Sequence, residues 1–593
     1  MTTARRHAAP YQDAALPIPA RVADLLGRMS VEEKAGLLFH PIITIGEGGT
    51  LQQDPAAAPS QASTDDLVAG RSISHFNLLG AAGPREMAQW HNRLQERAAD
   101  TRLGIPVTLS TDPRHSFTDN PGTAMMAGPF SQWPETLGLA ATSDTDLVRA
   151  YADTVRREYL AVGLRLALHP QIDLATEPRW SRIGGTFGED ADLTSRIVTA
   201  YLQGLRGTGP EADSVAAVVK HFPGGGPQKD GEDPHFPYGK EQVYPGGRFD
   251  YHLAPFEAAI AAGATQMMPY YGVPVGTPYE EVAFGFNKGI ITDLLRGRLG
   301  FDGIVLADWG LITDSLIMGE PHEARAWGVE HLDRHARVLK ALDAGVDQFG
   351  GESCPDLVAD LVHRGDLPAE RLDASAARLL TEKFRLGLFD ERRYVDPDLA
   401  EEIVGRADLR ALGARAQRAA LTLLTNPRGA LPATGRPRLY VRGVDAHSAA
   451  AHADVVTDPA EADLAVLRLK TPFEPRPGRF ESFFHAGRLD FPDDELKAIL
   501  DLLDTVPTVV AVHLERPAVL PQIAERAAAL LADFGASDEA LLDVVFGHAE
   551  PKGRLPFQLP RSMDDVRRGR PDVPQESTDP LFPFGHGLAY DPR

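Results

Sequence analysis

Cysteine is nearly absent from this chain of 593 residues: Cys354 stands alone, so no intrachain disulfide can form and a reducing compartment is the simpler reading. Net positive charge is absent as well. A formal charge of −23 leaves no basic stripe to neutralise phosphates, which argues against a nucleic-acid partner. No apolar run reaches the roughly 18 residues of an ordinary membrane-spanning helix, so no membrane association is expected. The opening "MTTARRHAAPYQDAALPIPARVADLL" has two arginines but no continuous apolar stretch. No secretory signal is read there, and the expected location is the cytoplasm. Internal repeats are also lacking.

What is present is the composition of a soluble globular protein, 43% hydrophobic and 24% charged. The length calls for two or three domains. After a tail over 1–17, "IPARVADLLGRMSVEEKAGLLF" (18–39) reads as helical, with Ser30 and Glu33 spaced as a capping box. Residues 52–66, small and polar with two prolines, read as an exposed loop. From there to about residue 351, strand-length apolar runs alternate with helical segments. The strands are "HFNLLG", "IPVTLSTD", "LRLALHPQID", "VAAVVKHF", "TQMMPYY", "GIVLADW" and "VDQFGG". Continuous apolar strands alternating with helices imply a parallel sheet covered on both faces, here a (β/α)8 TIM-like barrel over 18–385.

After a linker over 386–410, "RLYVRGV", "ADLAVLRLK", "TVVAVHLE" and "AALLADFG" read as buried strands of a smaller α/β sandwich domain over 411–560. The C-terminal segment 561–593, rich in Pro and Gly, is too short for a β-sandwich and is expected to pack back on the domains.

Polar residues gather where the first set of strands ends: Asp112, Asp173, Lys220, His221, Tyr271 and Asp308. A barrel collects those ends on one face, where its chemistry sits. One polar strand end is ordinarily a loop start, but six such residues at the ends of five strands mark a site. Asp308, closing "GIVLA" and followed by Trp309, has the setting of a rigidly aimed carboxylate beside an aromatic wall.

The segments "RLGIPVTLSTDPRH", "EPRWSRIGGTFGED", "VKHFPGGG", "LGFDGIVLADWG", "KFRLGLFD", "VVFGHAEPKGRLPFQLP" and "PLFPFGHGLAY" stand in the order seen in glycoside hydrolase family 3, which the chain resembles over nearly its whole length. The resemblance implies a barrel followed by an α/β sandwich, with the site between them, and retaining hydrolysis through a glycosyl-aspartate. It assigns Asp308 as nucleophile and Asp112, Arg182, Lys220 and His221 as clamps on sugar hydroxyls. Tyr271 matches the family's tyrosine near the nucleophile, with Tyr270 as rival. One departure is Gly185, where many relatives carry glutamate.

The second carboxyl that such hydrolysis needs is read as Glu481, by counting back from "LDFP", with Glu474 as competitor. An alternative lies in "KHFPGGGPQKDGEDPHF", similar to the loop that carries an Asp–His pair in the family's β-N-acetylglucosaminidases. Asp233 and His235 would be that pair, with Gly225 and Pro234 departing from its usual residues. The cluster fits no usual metal-ligand spacing, and neither metal nor cofactor is expected. The resulting expectation is a retaining β-glucosidase acting on a small β-glucoside or oligosaccharide, with a homodimer as a compatible state. The alternatives are a β-N-acetylglucosaminidase, a β-xylosidase, and an inactive sugar-binding protein.

Overall fold

The structure, a computed structural model, describes residues 9–209 and 211–590. All seven apolar runs named above form strands of one sheet: His75–Leu79, Thr108–Thr111, Leu164–Ala167, Ala216–Phe222, Gln266–Pro269, Ile304–Ala307 and Gln348–Gly350. Each pairs in parallel with the next along the chain. Two further strands, Phe39–His40 and Ile42–Thr44, were not apparent from periodicity. The first pairs with Gln348–Gly350 and the second with His75–Leu79, so the two ends of the sheet differ only by Pro41. The ring-like sheet therefore closes through one kinked segment. Proline suits the kink because it has no N–H to offer the ladder, while its carbonyl still accepts from the Asn77 amide at 2.9 Å.

The strands are short and buried on both faces, as a helix-covered parallel sheet demands. Helices Pro84–Ala99, Thr145–Val162, Ala191–Arg206, Phe249–Ala261 and Arg334–Ala344 lie between them in the chain. Before the sheet, the 18–39 segment is two helices, Ile18–Arg28 and Val31–Leu37, and the capping box is reciprocal: Ser30 N–H donates to Glu33 Oε2 at 2.9 Å, and Glu33 N–H to Ser30 Oγ at 3.3 Å.

A second sheet runs in the order Thr422–Thr425, Ala529–Asp533, Thr508–His513, Leu464–Lys470, Arg438–Arg442, Asp454–Val456. All its pairs are parallel except the first, which is antiparallel. The helix Ala407–Ala420 stops at Leu421, and the threonine-flanked leucines pair as an edge strand. Residues 386–410 carry a helix of their own, Pro397–Ile403, whose Asp398 and Glu401 both pair with Arg85 of the barrel.

The C-terminal segment returns to the barrel. Buried Asp572 accepts from the amides of Gly246 at 2.8 Å and Arg248 at 2.9 Å, and Glu189 accepts from those of Gln558 at 2.7 Å and Gln575 at 2.9 Å. No helix among the described residues is long and apolar enough to cross a membrane.

Candidate active site

Asp112, Arg182, Lys220, His221, Tyr271, Asp308 and Trp309 line one cavity of about 800 Å³. Asp112 directly follows the strand Thr108–Thr111 and Asp308 the strand Ile304–Ala307; Lys220 and His221 close Ala216–Phe222. The cavity is thus at the C-terminal ends of the barrel strands.

Asp308 has two unlike oxygens. Oδ1 accepts from the Tyr271 hydroxyl and from the Trp309 amide, each at 2.8 Å. Oδ2 is buried with no hydrogen-bond partner among the described residues, and His221 Nε2 stands 3.8 Å away. Burial, then the Asp308 charge, pushes the Tyr271 phenol well above its ordinary pKa, so it remains a donor. A carboxylate held by one oxygen and bare at the other is fixed in direction, with a lone pair available to an electrophile.

Around it stand groups suited to sugar hydroxyls. Asp112 Oδ1 lies 3.2 Å from Lys220 Nζ, and Oδ2 accepts from Asn77 Nδ2 at 3.2 Å. His221 Nδ1 is 2.7 Å from Asp173 Oδ2, while Asp173 Oδ1 accepts from the His221 and Gly225 amides. Burial raises the Asp173 carboxyl to about 6 against the pull of those two amides. Burial, followed by Arg182, holds His221 well below the ordinary histidine value, so the ring is neutral.

Two glycine-rich motifs find their reasons here. A Cβ on Gly225 would lie 2.9 Å from the Tyr270 ring and 3.1 Å from Asp173 Oδ1, which leaves no room for a larger side chain. A Cβ on Gly185 would lie 2.6 Å from Gln171 Oε1. That oxygen accepts from the Arg182 guanidinium at 3.1 Å, and the Gln171 amide returns a bond to the Arg182 carbonyl at 3.2 Å. Gln171 therefore occupies the space that a glutamate at 185 would enter, and aims Arg182 itself. Trp309 is wedged in the same way against Gly350 and Gly351, where a Cβ would come within 2.5 and 2.6 Å of the indole. Gly351 also has φ +72°, so glycine is required there twice over.

The structure separates the two tyrosines. Tyr271 bonds Asp308, whereas the Tyr270 hydroxyl reaches Asp233 Oδ2 at 3.3 Å. Asn77, Gln171 and Arg325 were missed in the sequence. Arg325 donates to the Trp309 carbonyl at 3.1 Å, and its guanidinium lies 5.2 Å from the centre of the Tyr271 ring. It comes from an irregular stretch where a lone arginine gives no signal.

The acid/base candidates fall in different places. Glu481 is half-buried and outside the cavity wall; its carboxylate accepts from the Tyr238 hydroxyl. The cause is the neighbouring aromatics. Phe480 and Phe484 pack with Phe236, which leaves the Glu481 side chain turned toward Tyr238. Glu474 is exposed, bridged through its backbone to Ala486, and does not line the cavity.

His235 does line it. Its Nδ1 is 2.6 Å from Asp233 Oδ1, and Asp233 Oδ2 accepts from Trp180 Nε1 at 3.1 Å and Ser181 Oγ at 3.0 Å. Burial alone would raise Asp233, but His235 and then Arg182 outweigh it and hold the carboxyl far below its ordinary range. Pro234 does not prevent the pair from forming.

The chain as a whole has parallels among known proteins. The sequence profile of the glycosyl hydrolase family 3 N-terminal domain matches residues 65–382, and that of the family's C-terminal domain matches 323–590. The chain is similar to a protein of Emericella nidulans named beta-glucosidase C, 51% identical over 99% of this chain and 95% of that one. It also resembles a periplasmic beta-glucosidase/beta-xylosidase of Dickeya chrysanthemi, 44% identical over 98% of this chain and 91% of that one. Among solved structures, a β-glucosidase of Erythrobacter marinus superposes with a TM-score of 0.79 over 98% of this chain and 84% of that one. At 23% identity that likeness speaks for the fold alone.

Proposed function

The chain belongs to glycosyl hydrolase family 3, and from that premise we propose that it is a β-glucosidase working by retention, with Asp308 as nucleophile. The observation that carries the reading is the asymmetry of Asp308: one oxygen held by two donors at 2.8 Å, the other bare and buried. The names of the relatives at 44–51% identity support the glucoside as substrate. Asp112, Lys220, Arg182 and His221 supply charged and neutral partners for the hydroxyls of one sugar ring.

Oδ2 attacks the anomeric carbon as the leaving oxygen takes a proton, giving a glycosyl ester on Asp308. Water, deprotonated by the same acid/base group, then releases glucose. Glu481 is proposed for that acid/base role from its loop position, its side chain exchanging the Tyr238 hydroxyl for the substrate. A second reading has a specific observation in its favour: His235, backed by Asp233, already lines the cavity.

The test is Asp308→Gly. It should lose activity on an aryl β-glucoside and, with azide added, form α-glucosyl azide, because a small anion fills the space of the nucleophile. Retained hydrolysis in this variant excludes Asp308 as nucleophile. β-Xylosides are the second substrate to measure, since one relative carries both names. Cytoplasmic location remains a proposal supported by the single cysteine, and cell fractionation checks it.

A further inference from the structure

The cavity has two levels of opposite chemistry. All its charged side chains, Asp112, Arg182, Lys220, Asp308 and Arg325, are buried. Its other walls come from the run Pro55–Pro59, the hairpin Ser315–Ile317/Glu320–His322, and Phe480 of the second domain. From the hairpin, Leu316, Ile317 and Met318 all line it. Eight large apolar side chains are exposed among the described residues, and two of them, Leu316 at 55% and Met318 at 46%, stand together at this one place. Exposed apolar groups clustered on a cavity rim mark a binding surface rather than chance.

The tip is held in place. Ser315 pairs with His322 and Ile317 with Glu320, around a two-residue turn in which Met318 and Gly319 have φ of 54° and 81°. The Arg479 amide donates to Glu320 Oε2 at 2.8 Å, tying the hairpin to the loop that presents Phe480. These side chains therefore offer a preformed wall, and such a wall orders little on binding.

We propose that this rim is an aglycone subsite for apolar alcohols, so that the preferred substrates are β-glucosides of alkyl, aryl or polycyclic alcohols rather than glucose oligomers. The proposal rests on the β-glucosidase reading and deepens it. About 800 Å³ leaves space beyond one sugar ring. A second sugar ring placed against Leu316, Met318 and Phe480 would lose water from its hydroxyls without gaining partners for them. A hydrocarbon placed there gains by burying its own surface and that of the rim.

Octyl and methyl β-glucosides test this cleanly. Their leaving alcohols have nearly equal basicity, so the chemical step is matched and the ratio of kcat/KM reports the rim. The octyl glucoside should be favoured about tenfold or more, since even a few buried methylenes give that factor, and it should also exceed cellobiose. In Leu316→Ser/Met318→Ser, two exposed positions, the octyl-to-methyl ratio should fall toward one. A ratio near one in the unaltered protein, an unchanged ratio in the double variant, or preference for cellobiose overturns the proposal.

Calorimetry with the unreactive octyl and methyl β-thioglucosides gives the same ratio without turnover. If neither thioglucoside binds and no β-glucoside is hydrolysed, the β-glucosidase reading has failed. If both bind equally while methyl β-glucoside is hydrolysed, only the subsite has failed.

Discussion

The Tyr271 hydroxyl lies 2.8 Å from Asp308 Oδ1 and also 2.8 Å from the carbonyl oxygen of Trp309. One O–H carries one proton, so it can serve only one of these acceptors at a time. While Asp308 is ionised, the carboxylate is the stronger acceptor. In the proposed mechanism Asp308 loses its charge on taking a glycosyl group, and the proton can then turn to the Trp309 carbonyl without breaking the packing. Under that mechanism, this arrangement would hold Asp308 before attack and free it afterwards.

Tyr271→Phe keeps the ring against Arg325 and removes only the hydroxyl. A hydrogen bond to a charged group contributes ~1.5–3 kcal/mol, so kcat/KM on an aryl β-glucoside should fall about ten- to hundredfold. Steady-state kinetics checks this. An unchanged rate would mean that the Trp309 amide orients Asp308 unaided.

The acid/base is identified by its dependence on the leaving group. Removing it should cost about 10²- to 10⁴-fold on methyl β-glucoside, yet little on dinitrophenyl β-glucoside, whose leaving group needs no proton. Glu481→Ala is expected to show that pattern, and added azide should then give β-glucosyl azide. A silent Glu481→Ala together with this pattern in His235→Ala transfers the role to the Asp233–His235 pair.

Gly351→Ala forces a Cβ into a positive-φ residue and into the Trp309 indole. Stability should drop by about 2–4 kcal/mol, and KM should rise as the indole shifts. Gly365→Ala is the control: its φ is +79° with nothing near the added carbon. It should lower the melting temperature but leave KM alone. Equal KM effects in the two would refute a contact-specific role for Gly351.

Stability should also depend on pH through Glu189. Burial raises this carboxyl from 4.5 to about 7, against the two amides that donate to it. A folded-state pKa above the unfolded one means stability is full below pH 4.5 and lost as pH rises through about 7. The loss is on the order of 3 kcal/mol. Asp173 carries the same sign over a lower range. In Glu189→Gln, melting temperature plotted against pH from 4.5 to 8 should flatten, whatever its absolute level. An unaltered slope assigns the dependence elsewhere.

Much of the barrel could be read before any coordinates. Seven apolar runs became seven parallel strands because a strand buried on both faces must be apolar throughout, and local composition records that. The kinked segment around Pro41 escaped because two- and three-residue strands have no period. Thr422–Thr425 escaped because leucines flanked by threonine suit a helix end as well as an edge strand.

The site divides in the same way. Asp308, Asp112, Lys220 and His221 were legible because each closes or directly follows a strand, and a barrel brings those ends together; Arg182, far from any strand end, was legible only through the family resemblance. Asn77, Gln171 and Arg325 carry no local mark; only the closure of the barrel sets them beside Asp112, Arg182 and Tyr271. The sequence by itself determined the barrel, the order of its domains and the gathering of polar residues at the strand ends, since these follow from short-range pattern; the role proposed for Asp308 came from the family resemblance. The tertiary structure decided which tyrosine meets Asp308, where Glu481 and His235 point, and what chemistry rims the cavity. Those depend on contacts between residues distant in the chain, such as Phe480 against Phe236, which no local pattern encodes.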